Sequence, residues 1–253
     1  MKRTKLEICC YSVQSAILAE KAGANRIELC TGIQEGGLTP SFAMIELCKA
    51  SVNIPVHVII RPRESDFHYS DIEFECMKKD ILMSKSIGVD GIVSGVLSTD
   101  GRIDLPRTRE LVELSKPMSF TFHRAFDMVK DPVLAMEQLI QLKVNRILTS
   151  GGMQTAIFGK DMLKRLVELA KERIIIMPGS GINEENILNL KMETGAQEFH
   201  CSAKSLVKSK MNFRNPNVSM GEKQESSEYS FFEANPEKIR KIANILKAED
   251  INL

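Results

Sequence analysis

Short apolar runs of strand length alternate with longer amphipathic stretches along nearly the whole chain. The strand candidates are 6–10, 26–30, 56–61, 91–95, 119–123, 146–150, 174–177 and 197–201. Helical spacing of apolar residues fills 12–21, 42–50, 74–86, 132–142, 162–171 and 184–192, and 236–247 supplies a last helix. Ser12, Ser41, the Asp131-Pro132 pair and Asn183 offer helix-start chemistry at the expected places. Strands that each lead into a helix imply a parallel sheet, because parallel neighbours need a long crossover. The pattern predicts one (β/α)8 TIM barrel spanning residues 1–253, with an open doubly wound sheet as the competing topology.

An internal repeat favours closure. Ala22-Gly-Ala-Asn-Arg-Ile-Glu-Leu-Cys30, Ile87-Gly-Val-Asp-Gly-Ile-Val-Ser94, Leu142-Lys-Val-Asn-Arg-Ile-Leu-Thr-Ser150 and Thr194-Gly-Ala-Gln-Glu-Phe-His-Cys201 share one form. In each, a helix ends, a small residue follows, and a buried strand begins; glycine suits the left-handed turn at such a helix end. The segments fall on the second, fourth, sixth and eighth strands, so the unit is a βαβα pair used four times. Two connections break the rhythm: the polar segment 61–70 and the long loop at about 204–235 before the last helix. Both are expected to be structureless, a feature usually tied to function or to a partner subunit.

Alternation along the strands divides helix-facing from barrel-facing side chains. Leu6, Ile8, Cys10, Ile27 and Leu29 form the helix-facing set. Glu7, Cys9, Glu28 and Cys30 then turn inward, and the same parity brings in His57, Arg61, Ser119, Thr121 and His123. Aligned repeats set Ser150 level with Cys30 and His200 level with Glu28. Barrels place their chemistry at the C-terminal ends of the strands, where these groups converge. Glu7, Glu28, Arg61, His123 and His200 are the acid/base and anion-orienting candidates, with His123 preferred because imidazole titrates near neutrality and Glu28 as its partner. A lone inward glutamate or arginine is otherwise half of a buried structural pair, and His57 reads equally as a core-filling histidine. Gly179-Ser180-Gly181 after the seventh strand and Ser202-Ala203 after the eighth fall where barrels bind phosphate on backbone N–H groups, and Lys204 adjoins them. Arg63, Arg124 and Ser150 complete the expected substrate-binding rim.

A formal net charge of +1 argues against a broad phosphate-reading face, so no nucleic-acid partner is expected. No apolar run approaches the roughly 20 residues of a membrane span, and the N-terminus runs straight into a strand without a signal-like segment. Six cysteines without a CxxC pair give no support to a structural zinc site; Cys48 and Cys76, inside helical patterns, read as packing thiols. The thirteen methionines show no clustering.

Motifs along the chain carry a resemblance. They include Leu6-Glu-Ile-Cys9, Gly23-Ala-Asn-Arg-Ile-Glu-Leu-Cys30, Glu35-Gly-Gly-Leu-Thr-Pro40, Ile60-Arg-Pro-Arg63 and Asp66-Phe-His-Tyr-Ser70. Thr121-Phe-His-Arg-Ala-Phe-Asp127, Leu148-Thr-Ser-Gly151, Met177-Pro-Gly-Ser-Gly181, Glu198-Phe-His-Cys-Ser-Ala203 and Phe213-Arg-Asn-Pro216 follow. Together they resemble the CutC family. The resemblance implies a TIM-type barrel, a cytoplasmic location, a homo-oligomer and a role in copper homeostasis. It further implies two cysteine ligands to Cu(I), which by motif fall on Cys9 and Cys30. Two thiolates suit a soft ion, and inward thiols on adjacent strands can meet. Two other readings stand beside Cu(I) binding: a barrel enzyme acting on a small anionic or phosphorylated substrate, and a non-catalytic scaffold working through its long loop.

Overall fold

The computed structural model describes residues 3–218 and 228–252. Eight parallel strands run round the barrel: β1 (Lys5–Cys10), β2 (Arg26–Leu29), β3 (Val56–Ile59), β4 (Gly91–Ser94), β5 (Ser119–Phe122), β6 (Arg146–Thr149), β7 (Ile175–Pro178) and β8 (Glu198–Cys201). Helices α1 (Val13–Ala22), α2 (Phe42–Ser51), α3 (Asp71–Ile87), α4 (Leu105–Ser115), α5 (Pro132–Gln141), α6 (Lys160–Ala170), α7 (Ile187–Thr194) and α8 (Pro236–Asn252) pack outside. The hydrogen-bonded order runs β7-β6-β5-β4-β3-β2-β1-β8, a near-closed TIM barrel in which β7 and β8 form no ladder. Among the described residues no helix is long and apolar enough to cross a membrane.

Local chemistry accounts for the helix ends. Ser12 and Ser41 accept from the backbone N–H groups of Ser15 and Met44, and Asp131 accepts from those of Val133 and Leu134. Ser70 and Glu73 form a reciprocal capping box at the start of α3. Gly23, Gly88 and Gly195 end α1, α3 and α7 in the left-handed conformation, as the repeat implies. Asn183 does not start a helix: α7 opens three residues later, after Asn186, whose side-chain oxygen instead accepts from the Asn183 N–H.

The repeat also clasps strands in pairs. Asn25, just before β2, accepts from the Leu6 N–H of β1; Asp90, before β4, accepts from the Val56 N–H of β3; Asn145, before β6, accepts from the Phe120 N–H of β5. Gln197 holds the fourth position and donates to the nearby Gly195 carbonyl instead. Its strand pair is β7–β8, the one without a ladder.

The long connection after β8 differs from the structureless loop expected. Lys204–Lys208 (β9) pairs antiparallel with Ser230–Ala234 (β10), so the segment leaves and returns as a hairpin. Residues 219–227 of that loop lie outside the described set. Ala234 is buried at its base, where its N–H donates to Ser15 on α1. The 61–70 segment is likewise ordered, braced by its own arginines as described below.

Strand parity divides the core as the alternation predicts. Leu6, Ile8, Cys10, Ile27 and Leu29 belong to the main apolar layer between sheet and helices, while Cys9 and Cys30 join Ile59 and Val93 in a separate cluster inside the barrel. The lower interior is ionic. Arg26 pairs with Glu7 and, at 2.7 Å, with Glu198; Arg146 reaches Glu198 at 2.6 Å and Thr121 at 3.2 Å. His57 fills the same level and lies 3.9 Å from Glu7, with room made by Gly91: a Cβ there would stand 2.4 Å from the imidazole.

Removing one partner of such a network strands a buried charge and costs about 3–5 kcal/mol. Arg146→Met is therefore expected to lower unfolding stability by that amount in urea titrations. A loss under about 1 kcal/mol, the scale of an exposed pair, would mean the network does not form.

Candidate functional site

Register lifts the site directly from the ionic floor. Glu7 lies opposite both Arg26 on β2 and His200 on β8, and Cys9 lies opposite Glu28. The His200 Nδ1 stands 2.8 Å from the free Glu7 oxygen, and its Nε2 faces Glu28 at 3.7 Å. Glu28 in turn accepts from the Cys30 thiol at 3.4 Å, and the Cys30 and Cys9 sulfurs meet at 3.5 Å. Five inward groups from three adjacent strands thus make one chain of contacts: Glu7, His200, Glu28, Cys30, Cys9. Within it, Cys9, Glu28 and Cys30 are close enough to share one metal ion, as are Glu7, Glu28 and His200.

Burial and mutual charge decide the protonation states. Burial opposes ionisation of Glu7, but Arg26 and His200 outweigh it and hold the carboxylate well below its usual range. His200 would lose its proton to burial alone; Glu28, Cys9 and Glu7 keep it as imidazolium, well above the ordinary value. The Cys30 thiol, hydrogen-bonded to Cys9 and aided by His200, draws the Cys9 thiol well below its usual range against the cost of burial. Cys30 moves the opposite way, raised by burial and by the sulfur beside it. Glu28 is pushed up to about 8, chiefly by burial, with His200 opposing and Cys9 and Glu7 reinforcing the shift.

A cavity of about 460 Å³ opens over this chain at the C-terminal end of the strands. Cys9, Glu28, Arg61, His123 and His200 reach its wall, so four of the five acid/base candidates share it with one of the two cysteines. Glu7 lies beneath, wholly buried in its contacts with Arg26 and His200. Arg124 reaches the wall while bound to Asp127 at 2.8 Å and to Ser150 at 3.1 Å. Ser180, Gly181 and Ser202 line the far side; Gly179 lies below, where a Cβ would stand 2.5 Å from a Leu148 methyl, and Ala203 follows Ser202.

Several expectations need correction. His123 does not titrate near neutrality: burial, with Arg61 adding to it, pushes its value down to about 3. Its Nδ1 accepts from the Ala125 N–H and caps the short 3-10 turn Arg124–Met128, and Glu28 contacts His200 and Cys30 instead of partnering it. Arg61 does line the cavity, but its guanidinium is spent on the carbonyls of Glu35, Gly37 and Ser65, tying together the loops after β2 and β3. Arg63 lies off the cavity and holds Glu73, Asp66 and the His68 carbonyl, which orders the 61–70 segment. Ser150 is buried outside the wall, its hydroxyl donating to the Met153 carbonyl. Cys48 is a packing thiol in α2, whereas Cys76 is exposed on α3.

Sequence reasoning missed Arg26, Arg146 and Glu198. The signal was present: the two arginines hold equivalent places in the repeat, just before an isoleucine, and the glutamate holds that place in its fourth copy. Tyr11, Glu35 and Phe67 of the wall come from loops, where strand parity is silent.

Comparison with known proteins supplies the family. The CutC family model matches residues 4–205. The chain belongs to the CutC family. It is 49% identical over 242 residues to the human copper homeostasis protein cutC homolog, spanning 96% of this chain and 89% of that one. A CutC family protein of Parabacteroides distasonis is 50% identical over 241 residues, across 95% and 99% of the two chains. The CutC crystal structure from Streptococcus agalactiae superposes with a TM-score of 0.76 at 32% identity, covering 79% of this chain and 98% of that one. Phosphoribosylanthranilate isomerase from Thermotoga maritima, at 10% identity and a TM-score of 0.59 over 97% of this chain and 99% of that one, shares the barrel fold alone.

The two deeply buried histidines give a pH test. Burial lowers His57 and His123 from 6.5 to about 3, so both stay neutral in the folded chain while the unfolded chain protonates them. Neither affects stability above pH 6.5; each lowers it as pH falls from 6.5 towards 3, by up to about 1.4 kcal/mol per pH unit. In ring-nitrogen NMR both are expected to remain neutral down to pH 5, with His200 charged at pH 7. Titration of His123 between pH 6 and 7 would refute the assignment.

Proposed function

We propose that this homologue of copper homeostasis proteins binds Cu(I) at the barrel mouth through Cys9 and Cys30. The observation that carries the reading is the pair of buried sulfurs, 3.5 Å apart, with Cys9 drawn towards thiolate. Cu(I) is soft and favours such ligands. Metal–thiolate bonds are about 2.3 Å long in zinc sites, so on that scale sulfurs 3.5 Å apart would hold an ion off their line and favour a third ligand. Glu28 is the neighbour within reach of both sulfurs. His200 acts from behind: held by Glu7, it adds to the Cys30 hydrogen bond in drawing the Cys9 sulfur towards thiolate. Assembly of identical chains and a cytoplasmic location belong to the same proposal.

One observation favours a second reading, an enzyme at the same mouth. A carboxyl raised to about 8 beside an imidazolium, in a cavity able to admit a small molecule, is a pairing suited to proton transfer. Glu28 and His200 would carry it, not His123.

In competition with a Cu(I) chelator, the wild-type chain is expected to hold one ion tightly. The Cys9→Ser and Cys30→Ser variants should each lose that site, and His200→Gln should weaken it by about 10- to 100-fold without abolishing it. Unchanged affinity in both serine variants would remove the copper reading.

A further inference from the structure

We infer that the same cavity carries an oxyanion seat on its β7–β8 side, separate from the cysteine pair and fitted to phosphate or a phosphate monoester. Several polar groups of the loop after β7 hold its shape. The Gly179 N–H donates to the Thr149 carbonyl, the Ser180 hydroxyl to the Gln154 carbonyl, and the Ser180 carbonyl accepts from the Ala156 N–H. The Gly181 carbonyl accepts from the Asn186 side chain. The N–H groups of Ser180, Gly181 and Ile182 donate to no acceptor among the described residues, and all three residues line the cavity. Ser202 and Ala203, across the strand pair that forms no ladder, leave their N–H groups free in the same sense.

The side chains of this wall add positive charge. Lys204 reaches it from the start of β9 with its ammonium 4.7 Å from the centre of the Phe232 ring, and Arg124 brings a guanidinium whose Nη1 makes no bond among the described residues. On the β5 side of the same wall, His123 is 3% exposed and its Nε2 has no partner. Its Nδ1 accepts from the Ala125 N–H, so in the neutral ring the proton sits on Nε2: a buried donor with no acceptor. Buried donors without acceptors are costly and rare. Of the acidic groups of the wall, Glu35 belongs to the loop after β2, and Glu28 is already engaged by His200 at 3.7 Å and by the Cys30 thiol at 3.4 Å. A ligand that only accepts hydrogen bonds and carries negative charge answers this side of the cavity. Phosphate does so, and barrels commonly seat it on the loops after their seventh and eighth strands. The space beyond suffices for a small organic body on a phosphate monoester.

The test is amide NMR of the full chain titrated with inorganic phosphate, and separately with glycerol phosphate. Saturable shifts at Ser180, Gly181, Ser202 and Ala203 are expected with both. Arg124→Gln combined with Lys204→Gln should weaken binding by about tenfold or more. The Cys9→Ser/Cys30→Ser chain should keep the saturable shifts at the same four amides, which separates this seat from the copper reading. Tighter binding of glycerol phosphate would assign the seat to an ester, equal binding to the free ion. Silent amides at all four positions, or shifts confined to other parts of the chain, would overturn the inference. So would affinity unchanged in the folded double variant.

Discussion

Two arginines and two glutamates share the lower interior of the barrel, and the site above depends on how they are matched. Arg26, Arg146, Glu7 and Glu198 balance to zero formal charge where little water reaches. An unmatched charge there would carry a large desolvation cost. Parity turns all four inward and register sets them side by side, so the pairing follows from the strands. Glu7 is the link upward. One oxygen meets Arg26 and the other meets His200, so the floor fixes both the position and the charge of the imidazole.

That fixed cation then sorts the groups above it. Glu28, Cys9 and Cys30 crowd one side of His200, and a single positive charge cannot hold three anions in a low-dielectric interior. The outcome is one proton-poor sulfur, Cys9, flanked by two groups that keep their protons. A thiolate poised without an exposed base suits capture of a soft ion. The retained protons have a second consequence: an entering cation can displace them, so that metal binding releases protons instead of adding net charge to the interior.

Most of this was legible in the chain. The period-two alternation places Glu7, Cys9, Glu28 and Cys30 inside, and the aligned repeats set His200 level with Glu28. What alternation cannot supply is the partner of each inward group. Glu7 reads as a catalytic carboxylate until Arg26 is found against it, although Arg26 obeys the same parity. His123 reads as a neutral-range imidazole until its burial and the nearby Arg61 are known. The arginines of 61–63 read as substrate grips because a loop's carbonyls leave no mark in sequence, yet those carbonyls are what they hold. The hairpin after β8 escaped for a similar reason: Lys204–Lys208 is mostly polar and only partly buried, so it lacks the apolar run that marks a barrel strand.

The seam between β7 and β8 coincides with the repeat's one departure. Three copies place Asn or Asp where it can clasp the preceding strand, and the fourth has Gln197, whose side chain turns back to its own helix end. Above the unlaced pair, loop N–H groups stand without acceptors among the described residues, whereas the clasped pair β1–β2 brings two sulfurs into contact. Soft ligands and hard donors are thus separated round a single mouth. The two proposed ligands carry opposite charge, and in a shared cavity each strengthens the field that holds the other. Linkage makes that effect reciprocal: whatever a bound oxyanion adds to the hold on a cation at the sulfurs, the cation returns.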